Sequence, residues 1–290
     1  MSGRVLVVGA AGRLGASIVD VFADRDVVAH AHASLDITDA AAVWKAVAAA
    51  APDIVINCAA FNDVDAAEHR PTEAFAINAF AVRSLARAAE SAGATLVHYG
   101  SDFVFDGTAR EPYTEEAPPA PRSAYGGSKL LGEWLALDAA RGFVLRVESL
   151  FGAPGGWSGR PGSVDQIIDA LDQRRPVRVF TDRVVSPSYV PDVAQATRHL
   201  LDSGAAPGLY HCVNAGQTSW LGLAEEAARL LGVAPQLEPV TMDAQALLAP
   251  RPKFCALATE KLSAAGFQMP PWQDALARWL SRRVPGGTIQ

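Results

Sequence analysis

The chain has 290 residues, half of them hydrophobic, and a formal net charge of −6 at pH 7. This length allows a large buried core and favours one main domain with a smaller companion. The acidic balance argues against a nucleic-acid partner, and no apolar run approaches the roughly 18 residues of a membrane span.

Apolar β-branched runs alternate with alanine-rich helical stretches through the first half of the chain. Strand-like RVLVVGA is followed by helical LGASIVDVFAD, and the alternation continues through DIVINCAA, TLVHYGS and FVLRVESLF. Continuous apolar strands separated by helices are typical of a parallel sheet covered on both faces. The sequence therefore predicts an α/β fold with a doubly wound parallel Rossmann sheet, formed mainly by residues 1–150.

The alternation weakens after residue 150. A Gly/Pro-rich loop, GAPGGWSGRPG, precedes the strand RVFTD, the helix PDVAQATRHLLDSG, the strand GLYHCVNAG and the helix SWLGLAEEAARLLG. We predict that strands within about 176–213 complete the Rossmann sheet. Residues 151–175 and 214–290 are predicted to form a smaller α+β substrate-binding domain.

Three glycines, Gly9, Gly12 and Gly15, follow the first strand and open the first helix. In this context glycines let backbone N–H groups and the helix N-terminus approach a pyrophosphate. The pattern predicts a dinucleotide coenzyme site that includes Arg13 and Leu14. A structural tight turn is the alternative.

The second strand lacks the acid that usually holds the ribose 2′-OH of NAD. The segment VVAHAHASLDITD carries histidines where that acid would stand. Asp36 lies about 20 residues past the last glycine but beyond the strand, where it and Ile37 would border the adenine. With His32 and Arg13 as nearby cations, the sequence favours NADPH over NADH. Exposed histidines without a coenzyme role are the alternative.

Tyr125 and Lys129 are four residues apart in SAYGGSKLLGEWLAL and share one face of a predicted helix that Ser123 caps. A buried ammonium beside a phenol lowers the phenol pKa, which suits proton transfer at neutral pH. An exposed amphipathic pair is the alternative. Gly126 and Gly127 are interpreted as keeping the helix surface bare for a coenzyme or a neighbouring helix.

The strand TLVHYGSD ends in Ser101 and Asp102, at the sheet edge where doubly wound folds bind ligands. Ser101 is a candidate hydrogen-bond donor to a substrate oxygen, and a turn-capping serine is the alternative. His98 and His211 lie in apolar strands without a second ligand at metal spacing, so no catalytic metal is expected. Arg183 belongs to an arginine cluster that is predicted to form a solvated face, with a diphosphate-binding role for one of its members as the alternative.

The cysteines at positions 58, 212 and 255 have no CxxC spacing. This pattern predicts free packing residues in a reducing cytoplasm, without a disulfide framework or a zinc site.

Taken together, the motifs identify a family. The chain resembles the extended short-chain dehydrogenase/reductases and, within them, the dTDP-4-dehydrorhamnose reductases. The matching segments are GAAGRLG, LDITD, PDIVINCAAFNDVDAAE, INAFAVRSLARAA, VHYGSDFVFDG, YGGSKLLGE, SPSYVPDVA, GLYHCVNAG and RPKFCALATEKL. The chain departs from the family where RVES, with Glu148 and Ser149, replaces RTSW, and where GSDF replaces STDY. These departures leave the exact sugar open.

The resemblance implies a cytoplasmic NAD(P)H-dependent reductase of a nucleotide-activated 4-keto-6-deoxy sugar, as in dTDP-rhamnose biosynthesis. Tyr125 would be the general acid, supported by Lys129, and Ser101 would stand at the family's Ser/Thr position. The other residues that the resemblance assigns are Asp102, Phe103, Ser149 and Arg251 at the substrate, Ala59 and Ala60 beneath the coenzyme, and Asn78 as an ordering residue.

Two further functions stay open at this point. A sugar-nucleotide epimerase or dehydratase would regenerate its coenzyme instead of consuming it. Some proteins that resemble this family bind the coenzyme as regulatory subunits without turnover, as in the methionine adenosyltransferase accessory subunit. A homodimer is the usual assembly in the family.

Overall fold

The computed structural model describes residues 3–154, 157 and 159–283. Its strands, in chain order, are β1 (Val5–Val8), β2 (Val27–His30), β3 (Ile54–Asn57), β4 (Thr95–Ser101), β5 (Gly142–Val147), β6 (Leu150–Phe151), β7 (Val177–Phe180), β8 (Val184–Val185), β9 (Ser188–Tyr189), β10 (Gly208–His211), β11 (Thr218–Ser219) and β12 (Leu237–Val240).

The α-helices are α1 (Arg13–Val21), α2 (Ala40–Ala50), α3 (Val64–His69), α4 (Pro71–Phe75), α5 (Ala81–Ser91), α6 (Ala124–Leu137), α7 (Ser163–Asp172), α8 (Val190–Asp202), α9 (Trp220–Leu231), α10 (Glu260–Ala264) and α11 (Trp272–Arg283). A π-helical turn, Ala76–Phe80, joins α4 to α5, and a 3₁₀ turn, Asp102–Val104, follows β4.

A six-stranded parallel sheet forms the centre of the fold, in the order β10-β5-β4-β3-β1-β2. The chain leaves β1 towards β2 and then returns to β3 on the other side of β1. This reversal opens a crevice at the carboxyl ends of β1 and β3, where doubly wound folds bind ligands. The predicted fold class is confirmed.

Helices cover both faces of this sheet because its strands are apolar on both sides. Val5 and Val7 of β1 join a buried cluster with α1 and α8. The alternate residues, Leu6 and Val8, join a second cluster with α2 and α5. This period of two follows from the strand pleat and fixes which helices lie on which face.

The later part of the chain forms a separate apolar cluster around α7, α9 and α11 with short strand pairs. Of the strands predicted to complete the Rossmann sheet, β10 does so, whereas β7 pairs with β12 instead. The prediction for Val177–Phe180 is therefore wrong, because its apolar residues pack against α7 and α9. The division into two domains stays a prediction, and residues 1, 2, 155, 156, 158 and 284–290 lie outside the described ranges.

All three cysteines are free. Cys212 and Cys255 are fully buried, which agrees with the predicted packing role. Within the described residues, no helix combines the length and apolarity that a bilayer crossing requires.

Candidate active site

A cavity of about 690 Å³ lies at the carboxyl edge of the central sheet. The segments that follow β1, β3, β4 and β5 all contribute to its walls, as the strand order requires. The predicted site residues in these walls are Gly12, Arg13, Leu14, Ala59, Ala60, Ser101, Asp102, Phe103, Tyr125, Lys129, Ser149 and Arg251.

At the glycine loop, the backbone after β1 lies in close contact with the backbone of the loop after β3. Gly9 has φ +76°, and a Cβ there would lie 2.5 Å from the Ala59 backbone nitrogen. A Cβ on Gly15 would overlap the Gly9 carbonyl oxygen. Gly12 caps α1 without a side-chain hydrogen bond, so the first-turn N–H groups keep their partial positive charge at the cavity. This cradle fits a pyrophosphate.

Arg13 projects from the first turn of α1 into the later part of the chain. Its Nη2 lies 2.5 Å from Asp165 Oδ2, and its Nη1 donates to the Gly152 carbonyl at 3.3 Å. The guanidinium also stacks 4.7 Å from the centre of the Trp157 ring. The charge of Arg13 is thus matched by a carboxylate of α7, which differs from the free cation that the sequence suggested.

The residues predicted at the adenine end lie away from the cavity walls. Asp36 accepts hydrogen bonds from the Thr38 backbone N–H at 2.9 Å and from the Thr38 hydroxyl at 2.7 Å. These bonds lower the pKa of Asp36, with a smaller effect from His32. His32 is exposed, and Ile37 packs in the core. A coenzyme role for these three residues stays a prediction.

Tyr125 and Lys129 lie on α6, whose N-cap Ser123 accepts from the Gly126 N–H as expected. Both side chains are buried at the cavity. Lys129 Nζ donates to the Tyr99 carbonyl oxygen at 2.6 Å, and burial lowers the Lys129 pKa to about 8.

Burial raises the pKa of the Tyr125 phenol, the nearby Ser101 hydroxyl opposes this rise, and the charges of Asp102 and Glu133 add to it. The expected depression of the phenol pKa is therefore wrong for this site, because burial outweighs it. A phenol with a raised pKa keeps its proton at neutral pH. This is the state that a proton donor needs.

The two glycines of α6 differ in their surroundings. A Cβ on Gly126 would overlap the Phe103 carbonyl oxygen, so α6 approaches the 3₁₀ turn closely there. A Cβ on Gly127 would make an ordinary contact of 3.5 Å with the Phe75 ring. Gly126 therefore allows the close approach that the sequence suggested, and the neighbour is the backbone of the 3₁₀ turn. Nothing in the described structure requires a glycine at 127.

Ser101 ends β4 and caps the following turn, while its role as a hydrogen-bond donor to substrate stays a prediction. Its Oγ accepts from the Phe103 N–H at 3.2 Å, which caps the 3₁₀ turn, and it lies 3.1 Å from Asp102 Oδ1. It also lies in the cavity wall beside Tyr125. Asp102 is 3% exposed, and burial raises its pKa against the opposing charge of Arg183.

Two residues of the cavity wall were not among the site residues predicted from the sequence. Arg183, expected on a solvated face, lines the cavity, and its Nη2 lies 3.9 Å from Asp102 Oδ2. Its side chain is only 11% exposed. Glu148 is buried as well, and its Oε2 accepts from the Ser186 N–H at 2.7 Å. The replacement of RTSW by RVES was the signal for Glu148, and for Arg183 the arginine cluster was the signal, although the solvated face was favoured.

Of two further predicted residues, Asn78 lies outside the cavity lining and Arg251 lies in it. Asn78 is fully buried and exchanges hydrogen bonds with the Phe61 backbone at 2.8 and 3.0 Å, while its Nδ2 also donates to Ser128 Oγ at 3.0 Å. It thereby ties the loop after β3 to α6. Arg251 lies in the cavity wall and donates to both carboxylate oxygens of Asp65, at 2.9 and 2.7 Å.

The RmlD substrate binding domain family matches residues 3–284. A dTDP-4-dehydrorhamnose reductase from Streptomyces griseus is 38% identical over 283 residues, covering 94% of this chain and 91% of the relative. A dTDP-4-keto-6-deoxy-D-glucose reductase from Streptomyces niveus is 34% identical, covering 96% of each chain. The crystal structure of dTDP-4-dehydrorhamnose reductase from Bacillus anthracis in complex with NADP superposes with a TM-score of 0.91 at 31% identity, over 97% of this chain and 100% of that chain.

Proposed function

The chain belongs to the RmlD substrate binding domain family, and on this premise we propose that it reduces the 4-keto group of a dTDP-4-keto-6-deoxy sugar with a nicotinamide coenzyme. The observation that carries the proposal is the arrangement of Ser101, Tyr125 and Lys129 in one cavity wall beside the glycine loop. Relatives named dTDP-4-dehydrorhamnose reductase or dTDP-4-keto-6-deoxy-D-glucose reductase share 32–38% identity with the chain.

The residues around the glycine loop fit the coenzyme. The N–H groups in the first turn of α1, from Arg13 onwards, have no side-chain cap and suit the pyrophosphate. The loop that contains Ala59 and Ala60 forms the wall beside them. When bound, the coenzyme supplies the hydride.

NADPH is the proposed coenzyme, with NADH as the alternative. β2 ends at His30 without an acid, and the Asp36 carboxylate is engaged by Thr38. An acid at the ribose 2′-position is the usual means of selecting NAD. The solved relative from Bacillus anthracis is a complex with NADP.

Tyr125 acts as the proton donor in this proposal. Its buried phenol keeps its proton at neutral pH and can transfer it to the C4 oxygen as that oxygen gains negative charge. Lys129 places an amino group in the same wall. Ser101 lies beside the phenol, where its hydroxyl can hydrogen-bond the same oxygen.

Asp102, Phe103, Ser149 and Arg251 are the proposed substrate residues. All four line the cavity, on the sides formed by the ends of β4 and β5 and by the Arg251 segment. Arg251 offers a guanidinium to a diphosphate, in competition with Asp65. A homodimer stays a prediction.

The test is the nicotinamide absorbance of the purified protein with a dTDP-4-keto-6-deoxy sugar and either NADPH or NADH. The proposal predicts substrate-dependent oxidation, faster with NADPH. An epimerase or dehydratase would instead convert a sugar nucleotide without consuming added coenzyme. Coenzyme binding without turnover of the keto sugar would favour a regulatory subunit.

A further inference from the structure

A group of four buried side chains lies beside Ser101 and is only partly satisfied by internal hydrogen bonds. We call Asp102, Glu148, Arg183 and Cys255 the acid group. An oxygen of each carboxyl and the Cys255 Sγ lie within 4.8 Å of one another. Among the described residues, Asp102 Oδ2, Glu148 Oε1 and Arg183 Nε have no hydrogen-bond partner.

The charges in the acid group do not balance if both carboxyls are ionised. Arg183 supplies one positive charge for Asp102 and Glu148, which are 3% and 1% exposed. A second buried carboxylate would lack compensation, and two such groups at close range ordinarily hold one proton between them. The unpartnered oxygens, Asp102 Oδ2 and Glu148 Oε1, agree with this incomplete compensation.

The neighbouring groups agree with a single retained proton. Burial and the charge of Asp102 raise the pKa of Glu148, which Arg183 opposes. Burial likewise raises the pKa of the Cys255 thiol, so it contributes no charge at neutral pH. The other titratable groups near Ser101 are Tyr125, Lys129 and Glu133, and the charge of Glu133 is matched by Arg146.

We propose that Asp102 and Glu148 share one proton, and that this proton sets the direction of the Ser101 hydroxyl during proton donation by Tyr125. Glu148 is then a positioning residue that acts through Asp102 and Ser101. The part that concerns Tyr125 rests on the proposed function, whereas the shared proton does not.

The Ser101 hydroxyl has one hydrogen and two places to direct it. When Asp102 is ionised, that hydrogen points to Asp102 Oδ1, 3.1 Å away, and Ser101 can only accept from Tyr125. When Asp102 carries the proton and Glu148 is ionised, Asp102 donates to Ser101. The serine hydrogen is then free to stabilise a developing phenolate or alkoxide.

The proton transfers balance. The Tyr125 O–H bond breaks and an O–H bond forms on the substrate oxygen. The phenolate takes the Ser101 hydrogen, and Ser101 takes the proton of Asp102. The acid group is left with one negative charge in excess, and one proton from water restores it after product leaves.

Glu148→Gln is the main test. The amide oxygen can still accept from Ser186, but the side chain can no longer exchange a proton. Asp102 would then face Arg183 alone and ionise, holding the Ser101 hydrogen. We expect kcat to fall about tenfold or more, the loss of one charge-assisted hydrogen bond, with the sugar KM and coenzyme Kd changed less than about threefold.

The pH profile separates this role from a structural one. Wild-type kcat should decline on the alkaline side as the acid group loses its shared proton and as Lys129 titrates, and Glu148→Gln should retain only the part that Lys129 causes. Glu148→Asp, which keeps a titratable carboxyl, should recover part of kcat and the decline. Glu238→Gln, on the exposed residue of β12, is the matched control and should match wild type.

Infrared spectroscopy of the coenzyme-free protein tests the shared proton without substrate. Wild type at neutral pH should show the carbonyl band of a protonated carboxyl that Glu148→Gln removes and Glu238→Gln retains. Absence of that band would overturn the proposal, as would an unchanged kcat in Glu148→Gln. An inactive wild type would refute the proposed function, and the infrared bands would then decide the shared proton alone.

Discussion

Arg146 and Glu133 form a buried ion pair behind the end of β4. Arg146 Nε donates to the two carboxylate oxygens at 3.2 and 3.1 Å, and Nη2 donates to Oε2 at 2.8 Å. The side chains are 3% and 1% exposed. Glu133 Oε1 also accepts from the Ser101 N–H at 3.3 Å. The pair therefore joins β5 and α6 to the residue that ends β4 at the cavity.

Arg146→Met should strongly destabilise the protein. It leaves the Glu133 carboxylate buried without its partner, and removal of one member of such a pair costs about 3–5 kcal/mol of unfolding free energy. Urea unfolding measures the loss. Arg178→Met, which breaks an exposed pair with Glu238, should cost less than about 1 kcal/mol. Equal losses in the two variants would contradict the role of the buried pair.

Adjacent glycines of α6 should respond in opposite directions to alanine. Gly126→Ala places a methyl group against the Phe103 carbonyl and should lower stability and displace the 3₁₀ turn. Gly127→Ala has room and should stabilise the helix by about 0.5–1 kcal/mol. Thermal unfolding of both variants makes the comparison. A destabilised Gly127→Ala would show that its 3.5 Å contact with Phe75 is not tolerated.

Lys129 should make a contribution to the stability of the coenzyme-free protein that rises with pH above about 8. Its folded-state pKa is lowered by burial from 10.5 to about 8. Between these values the unfolded state binds more protons, so the unfolding free energy increases with pH, by about 3 kcal/mol in total. Below pH 8 both states are protonated and this contribution is flat.

Lys129→Met removes that dependence. The difference in unfolding free energy between wild type and Lys129→Met, measured in urea from pH 7 to 10.5, should therefore change steadily above pH 8. A difference that is constant across this range would mean that the ammonium keeps its ordinary pKa in the folded protein.

Arg13→Gln should affect NADPH and NADH alike. The guanidinium is paired with Asp165 at 2.5 Å, so the substitution loosens the contact between α1 and α7 more than it removes a 2′-phosphate ligand. The ratio of the two Kd values, from fluorescence titration, should stay within about threefold of wild type.

Asp165→Asn tests the same pairing from the other side and should resemble Arg13→Gln. By contrast, a selective rise of about tenfold or more in the NADPH Kd of Arg13→Gln would identify Arg13 as a 2′-phosphate ligand, since a lost charged hydrogen bond has that magnitude.

Short sequence motifs were enough to predict those parts of the site whose residues are close together in the sequence. Gly9 and Gly15 are required by one tight loop, and Tyr125 and Lys129 lie one helical turn apart at the same cavity. Parallel-strand alternation likewise predicted the central sheet, because each strand carries its own apolar residues.

Contacts between distant segments could not be predicted in this way. Asp102, Glu148 and Arg183 lie far apart in sequence, and only the packing of the later segments against the sheet edge brings them together. The strand Val177–Phe180 has the same apolar pattern as a central strand, but its neighbours direct it to β12. The raised phenol pKa also depends on burial, which the spacing of Tyr125 and Lys129 does not reveal.

The most direct test of the proposed reductase is Tyr125→Phe, because this change removes only the phenolic oxygen. With a dTDP-4-keto-6-deoxy sugar and NADPH, kcat should fall by about 100-fold or more, the usual contribution of a general acid, while the NADPH Kd changes little. Tyr210→Phe, which removes a hydroxyl that donates to Ala206 away from the cavity, is the control and should retain wild-type turnover. Unchanged turnover in Tyr125→Phe would contradict the assignment of Tyr125 as the proton donor.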